Sequence, residues 1–373
     1  MNWMKRAIDL AEKGRSTCPP NPMVGCVIVK NNHIVGEGYH QITGGPHAEI
    51  VALQQAQSQA YDADVYVTLE PCCHAGRTGP CIEVLIQAGV RRVHIAIQDP
   101  NPLVAGRGIE KLRQAGIEVL VGDCQDEAYY QNQTFFHYIT KKSPYVIAKW
   151  AMTLDGKIAT SRGQSKWITS ETAREHAHGL RSQVCGIMVG GNTVRLDNSQ
   201  LTVRVDVTQD HRQPRPIIVT ASGNILLDSP LFESRRNPII ITSNQVPSSF
   251  LRDLENRRID HHKFPLVEET LPMKDVLLLL AQTHHLRSIL VEGGNQLLTA
   301  FHQEKLMNQV FIYMAPKIMG EANSLSPLGG RDLVDISQIE SLHSQEFIPL
   351  GVDMCVMAKT AQTPLNYKEF LNV

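Results

Sequence analysis

The sequence predicts two α/β domains in tandem, each a layered fold with helices on both faces of a mixed sheet. Three observations carry this. Apolar, β-branched runs alternate with stretches of helical period along most of the chain. The 373 residues make more than one domain, at roughly 100–200 residues each. Lys141-Lys142-Ser143-Pro144 breaks the alternation with a short polar stretch, which sets the domains at 1–142 and 143–373.

In order, Trp3, Ala7, Leu10 and Ala11 have the spacing of a helix face. Val24 to Val29 and His33 to Gly38 read as strands joined at Asn31-Asn32, hence a hairpin. A helix from His47 to about Gln57, a strand Val65 to Leu69, and a loop dense in Cys, Gly and Pro come next. A helix from Cys81, a strand Val93 to Ile97, a helix Gly108 to Gln114 and a strand Ile117 to Val121 complete the first series. The second series has strands at Tyr145 to Ala151, Gly186 to Val189, Pro216 to Val219, Pro238 to Ile241, Ser288 to Val291, Val310 to Met314 and Val352 to Ala358. Helical runs at Glu171 to Gln183 and Met273 to Thr283 lie between them, and the segment after Thr360 carries little signal.

Composition narrows the function. The 36 Lys plus Arg nearly balance the 37 Asp plus Glu, so no overall positive field gathers nucleic acid or anionic membrane. The apolar stretch Val276 to Ala281 is far short of the roughly 20 residues a spanning helix needs, and the first residues read as an amphipathic helix. A cytoplasmic protein is the expectation. Its 8 cysteines are then reduced thiols, and those clustered with His or Glu read as metal ligands or catalytic groups.

The most informative residues are His47-Ala48-Glu49 and the run Glu70-Pro71-Cys72 to Cys81. One imidazole and two thiolates are three zinc ligands that leave a fourth tetrahedral position for water, the mark of a catalytic site. Zinc lowers the pKa of such a water to about 7, and Glu49, in the first helical turn, can carry its proton to a leaving amine. His47, Cys72 and Cys81 are thus the expected ligands and Glu49 the catalytic residue, with Cys73 a bystander. The spacing of the cysteines departs from the two-residue gap usual in zinc deaminases, since eight residues separate Cys72 from Cys81.

Together with Pro20 to Gly25 and Gly36 to His40, these segments resemble the deaminase half of the bifunctional deaminase/reductase family of riboflavin biosynthesis. Lys149 to Lys157, Ser165 to Thr169, Gly191 to Val194, Asp197, Leu201 to Arg204 and Val291 to Gly294 resemble its reductase half, so the likeness spans both domains in order. It implies a cytidine-deaminase-like three-layer α/β/α domain followed by a dihydrofolate-reductase-like α/β domain. It further implies zinc, NADPH, a pyrimidine ribosyl phosphate substrate and a homo-oligomer. Asn21, His40, His74 and Arg77 would line the first pocket. Lys149, Ser165, Arg181, Asp197, Leu201, Arg204 and Glu292 would contact the substrate in the second. NADPH would meet Ala151, Trp167, Thr193, Asp197, Ser222 and the turn Gly294, Asn295, Gln296, Leu297 and Leu298. Cys73, Ala75, Gly79 and Ser199 depart from the residues common in the family.

The residue types suit these roles. Arg181 and Arg204 can offer forked bonds to phosphate, and Asp197 and Glu292 can accept from sugar hydroxyls. Lys149 can polarise the sugar C1 or donate a proton as hydride arrives. Gly190-Gly191 and Gly293-Gly294 each follow an apolar strand and precede a helical run, which suits a tight turn or a backbone approach to phosphate. No G-x-G-x-x-G follows a strand, so a Rossmann dinucleotide site is not indicated. The alternatives are a nucleic-acid base deaminase with an appended nucleotide-binding domain, which the charge balance disfavours, and a nucleotide sensor without turnover.

Overall fold

The computed structural model describes residues 2–73, 79–197, 199–203, 213–233, 236–330 and 334–371. The chain forms two compact units, Met1–Lys141 with Leu365–Val373, and Lys142–Pro364.

In the first unit, β1 (Gly25–Lys30), β2 (His33–Tyr39), β3 (Asp64–Val67), β4 (Arg92–Ile95) and β5 (Glu118–Val121) form a sheet of order β2-β1-β3-β4-β5. β1 pairs antiparallel with β2 and β3, whereas β3, β4 and β5 are parallel, so the sheet is mixed as expected. Alternation along β1 divides its side chains between two layers. Cys26 and Ile28 join the helices Ala48–Ala56, Cys81–Gln87 and Arg107–Gln114 on one face. Val27 and Val29 join Trp3–Glu12, Gln125–Gln131 and Gln133–Lys141 on the other.

The helix Ala48–Ala56 lies close on β2 because Gly36 and Gly38 carry no side chain there. A Cβ on Gly38 would stand 2.3 Å from the Ala48 carbonyl oxygen, and one on Gly36 would stand 2.2 Å from that of Ala52. This close approach sets where His47, at the helix N-cap, and Glu49, in its first turn, come to lie.

The second unit is built on nine strands: β6 (Tyr145–Thr153), β7 (Gly186–Gly190), β8 (Arg215–Val219), β9 (Ile239–Ser243), β10 (Asp260–Phe264), β11 (Ser288–Glu292), β12 (Gln309–Ala315), β13 (His343–Leu350) and β14 (Asp353–Lys359). Their order is β10-β9-β8-β7-β11-β6-β12-β14-β13, with every pair parallel except β12–β14 and β14–β13, so that β14 alone runs against the rest. One face packs against helices Met273–His284 and Asn295–Gln303, and the other against Glu171–Ser182.

The C-terminal segment corrects the expected division. Residues from Leu365 belong with the first unit, because Tyr367 and Phe370 pack in its aromatic layer beside Tyr129 and Phe136. Helices Gln125–Gln131, Gln133–Lys141 and Ser248–Asn256, and strands β10 and β13, go beyond the elements read from sequence.

Candidate active sites

His47, Cys72 and Cys81 converge from three places in the first unit. His47 caps one helix, Cys81 opens another, and Cys72 lies in the loop after β3. Their donor atoms all lie within 4.8 Å of one another, the only such cluster of three His, Cys, Asp or Glu among the described residues. His47 turns Nδ1 toward both sulfurs, 3.0 Å from Cys81 Sγ and 3.6 Å from Cys72 Sγ. The backbone N–H of Cys81 donates to Cys72 Sγ at 3.4 Å.

The electrostatics favour metal. The Cys81 thiol, then the His47 ring and the Cys81 N–H, lower the Cys72 thiol pKa against the opposing effect of burial. These neighbours favour thiolate at Cys72 beside an imidazole, and the set of one nitrogen and two sulfurs fits zinc. Cys73 stands outside the cluster: its Sγ points to the Leu103 carbonyl oxygen at 3.7 Å. Cys72 itself does not start a helix, so it is the loop that sends the two neighbouring thiols apart.

Glu49 is 3% exposed, and burial raises its carboxyl above the ordinary range. A raised carboxyl so placed is suited to taking up a proton and giving it back.

Asn21 and His40 meet beside the cluster. Pro46 O lies 3.0 Å from His40 Nδ1, and Asn21 Nδ2 lies 3.1 Å from Nε2. With Nδ1 donating to Pro46, Nε2 accepts from Asn21, and the ring sits edge-on to His47 at 5.7 Å. Burial lowers the His40 pKa and keeps this arrangement neutral. His74, Arg77 and Arg204 lie outside the described residues.

Sequence reasoning quoted Glu70 without giving it a role. Its buried carboxylate accepts the N–H groups of Asp99, Gly106, Gly108 and Ile109 at 2.9–3.3 Å, anchoring the loop before helix Arg107–Gln114 to the residues preceding Cys72. An acidic residue next to Pro-Cys is the only signal the sequence offers of this anchor.

In the second unit the carboxyl ends of parallel strands gather most of the expected residues, the usual ligand position of an open α/β sheet. Glu292 ends β11 opposite Lys149 of β6, Ala151 is further along β6, Thr193 follows β7, and Ser222 lies in the turn after β8. Gly294 caps the helix Asn295–Gln303, whose first-turn N–H groups are free of intrahelical partners by geometry. Leu298 is fully buried and Leu297 nearly so: their side chains belong to the core, and this part of the turn offers a cofactor only backbone. Leu201 is likewise buried, and its carbonyl accepts from Arg236 Nη1 at 2.5 Å, a support not foreseen.

Arg181 and Glu292 pair with each other. Arg181 Nε and Nη2 meet the two oxygens of Glu292 at 2.8 and 2.7 Å, and Nη1 donates to Thr202 O at 2.9 Å. The fork expected on phosphate is thus engaged by Glu292, because two buried opposite charges placed together pair with each other. Burial alone would raise the Glu292 carboxyl, but the Arg181 charge and its bonds hold it at about 2.

Trp167 is 65% exposed, with the Arg174 guanidinium 4.5 Å from its ring centre. Lys317 Nζ holds the Trp167 and Ile168 carbonyls at 3.0 and 2.6 Å, and Lys166 Nζ reaches Asp197 Oδ1 at 3.4 Å. Ser165 precedes this ion pair in the same loop. An indole fixed by its backbone and open on the surface offers a stacking plane for a heteroaromatic ring.

Residues 1–97 match the family model of the cytidine and deoxycytidylate deaminase zinc-binding region, and residues 144–350 match that of the RibD C-terminal domain. The molecule is therefore of the class that joins a zinc-dependent deaminase to a reductase. It is 41% identical over 362 residues to the riboflavin biosynthesis protein RibD of Aquifex aeolicus, covering 96% of this chain and 98% of that one, and 38% identical over 368 residues to that of Escherichia coli, covering 95% and 97%. The chain belongs to the RibD family, the bifunctional deaminase and reductase enzymes of riboflavin biosynthesis, with zinc and NADPH as cofactors.

Solved structures agree over both units. Acinetobacter baumannii RibD, form 1, superimposes with a TM-score of 0.89 at 36% identity, covering 96% of this chain and 98% of that one. A diaminohydroxyphosphoribosylaminopyrimidine deaminase/5-amino-6-(5-phosphoribosylamino)uracil reductase from Thermotoga maritima superimposes at 0.80 and 34% identity, covering 96% and 97%. No helix of the described residues is long and apolar enough to cross a membrane.

Proposed function

We propose that the first unit deaminates 2,5-diamino-6-ribosylamino-4(3H)-pyrimidinone 5′-phosphate and that the second reduces the ribosyl chain of the product to ribityl. The observation that carries this reading is the convergence of His47, Cys72 and Cys81 beside the buried Glu49. His47, Cys72 and Cys81 would hold zinc, which when bound would supply a water activated for attack on the ring carbon. Glu49 takes the proton that this water releases and delivers it to the amino nitrogen, so the carbon–nitrogen bond breaks and ammonia leaves. Asn21 and His40 form one wall of the pocket, with His74 and Arg77 assigned to the substrate by family likeness.

In the second unit NADPH, when bound, would supply the hydride that the sugar C1 accepts. The bond from C1 to the ring oxygen is lost, and that oxygen gains a proton. Lys149 is the proton donor we assign, with Glu292 and Arg181 holding its surroundings. Ser165, Asp197, Leu201 and Arg204 contact the ribosyl phosphate. Ala151, Trp167, Thr193, Asp197, Ser222 and the turn from Gly294 to Leu298 hold the dinucleotide, the two leucines through backbone. The enzyme works in the cytoplasm as a homo-oligomer of at least two chains.

The test is NADPH oxidation by zinc-loaded protein given only the diaminopyrimidine ribosyl phosphate. Oxidation in the wild type, its loss by about 100-fold or more in Glu49→Gln with zinc retained, and its return when deaminated intermediate is added would bear the order out. Undiminished oxidation in Glu49→Gln would remove Glu49 from the mechanism.

A further inference from the structure

The sheet face under the helix Glu171–Ser182 is largely apolar but carries buried polar groups. Four adjacent strands supply a diagonal row of them, Glu292 from β11, Lys149 from β6, Tyr313 from β12 and Cys355 from β14, with Lys149 opposite Phe311 and Tyr313 opposite Ala151 where β6 pairs with β12. Glu292 is directly opposite Lys149, and Tyr313 directly opposite Cys355. The helix closes the row from above, with Arg181 forked onto Glu292 and His176 Nδ1 2.7 Å from Tyr313 Oη.

Tyr313 is 1% exposed, and the Lys149 Nζ stands 5.5 Å from its ring centre. That is cation–π range, and a desolvated site strengthens the attraction. The carboxylate nearest Lys149 already serves Arg181, whose own charge opposes a second cation. Burial pushes the Lys149 amine down, Glu292 pushes it up and Arg181 pushes it down again. The ring is the neighbour that favours the ammonium without adding a charge. His176 fixes the ring's edge; burial lowers its pKa and keeps it neutral, so it adds no repulsion at neutral pH.

We propose that Tyr313, held by His176, is a positioning residue for Lys149, its ring keeping that amine protonated and in place until hydride transfer. This rests on the reading above that Lys149 donates the proton in the reductase step. The groups whose charge bears on Lys149 are Glu292 from β11, Arg181 from the helix and Cys355 from β14, the last a thiol pushed up to about 11 by burial; His178 on the same helix acts on Glu292, and His176 meets the Tyr313 hydroxyl.

The test uses the full chain with lysines labelled at Cε, the Lys149 signal being assigned by its absence in Lys149→Gln. In Tyr313→Leu the Lys149 titration read by NMR falls by about half a unit to one and a half units, the equivalent of losing a cation–π contact. The alkaline limb of reductase kcat, measured with NADPH and deaminated intermediate, moves down with it while KM stays within about twofold. Tyr313→Phe keeps the ring and so keeps the titration. A purely structural role would lower activity in both variants with the titration unmoved, and that result would overturn the proposal. Should Tyr313→Leu fail to fold, Tyr313→Met takes its place: the same downward shift supports the proposal, and none refutes it. A wild type that titrates Lys149 but never oxidises NADPH would instead defeat the reductase reading.

Discussion

Cys72 and Cys73 are chemically identical neighbours with different surroundings. Cys72 Sγ receives the Cys81 N–H and faces His47, whereas Cys73 Sγ faces a backbone carbonyl. Replacing Cys72 by Ala therefore removes one of three ligands, and zinc affinity should fall by more than the roughly 10–100-fold typical of losing a group that merely orients a ligand. Cys73→Ala should retain its zinc. Metal content after dialysis against a chelator checks both, and loss of zinc from the Cys73 variant would mean the ligand set is wrong. These residues were legible in the sequence because zinc chemistry restricts both their types and their proximity to Glu49 and Pro71. The pairing of Arg181 with Glu292 was not legible. The two are 111 positions apart, and only the sheet and helix that carry them bring them together.

At the scale of elements, that pair ties the helix Glu171–Ser182 to the end of β11. A carboxyl held at about 2, against an ordinary 4.5, contributes on the order of 3 kcal/mol above the ordinary pKa. Its folded-state pKa is depressed, so this contribution is complete above about pH 4.5 and is lost as pH falls toward 2. Glu292→Gln should cost the second unit about 3 kcal/mol at pH 7, because it leaves a buried guanidinium uncompensated. The difference from wild type should shrink to less than about half of that near pH 3. Urea denaturation at the two pH values checks this, and a pH-independent difference would mean that packing, not charge, is what Gln disturbs. Strands such as β11 were easy to read because both faces are buried and the run is apolar. β13 and β10 were not. Both are edge strands, β13 is exposed along most of its length and β10 reads Asp-His-His-Lys-Phe, so neither shows an apolar run or an alternation to find.

At the scale of the whole molecule, two α/β units in a fixed order follow from the alternation of strands and helices and the polar break at Lys141, but chain order hid the return of the last residues. The sequence after Thr360 is short, mixed in polarity and without sustained period, and its role depends on what it meets. Tyr367 stacks with Phe370 at 5.8 Å, Phe370 lies 5.2 Å from Tyr129 and 5.3 Å from Phe136, and the Tyr367 N–H donates to Asp126 Oδ1 at 3.0 Å. Each aromatic buried in this way contributes about 1.5–3 kcal/mol. Deleting residues from Leu365 onward should thus lower the stability of the first unit by about 3 kcal/mol or more and leave the second unit unchanged. Calorimetry should show the deaminase transition moving to lower temperature while the reductase transition holds. Activity should divide the same way: deamination lost on mild heating, and NADPH oxidation with deaminated intermediate preserved. Equal loss of both activities would show that the segment supports more than the unit it packs against, and loss of neither would show that its aromatic contacts add nothing to stability.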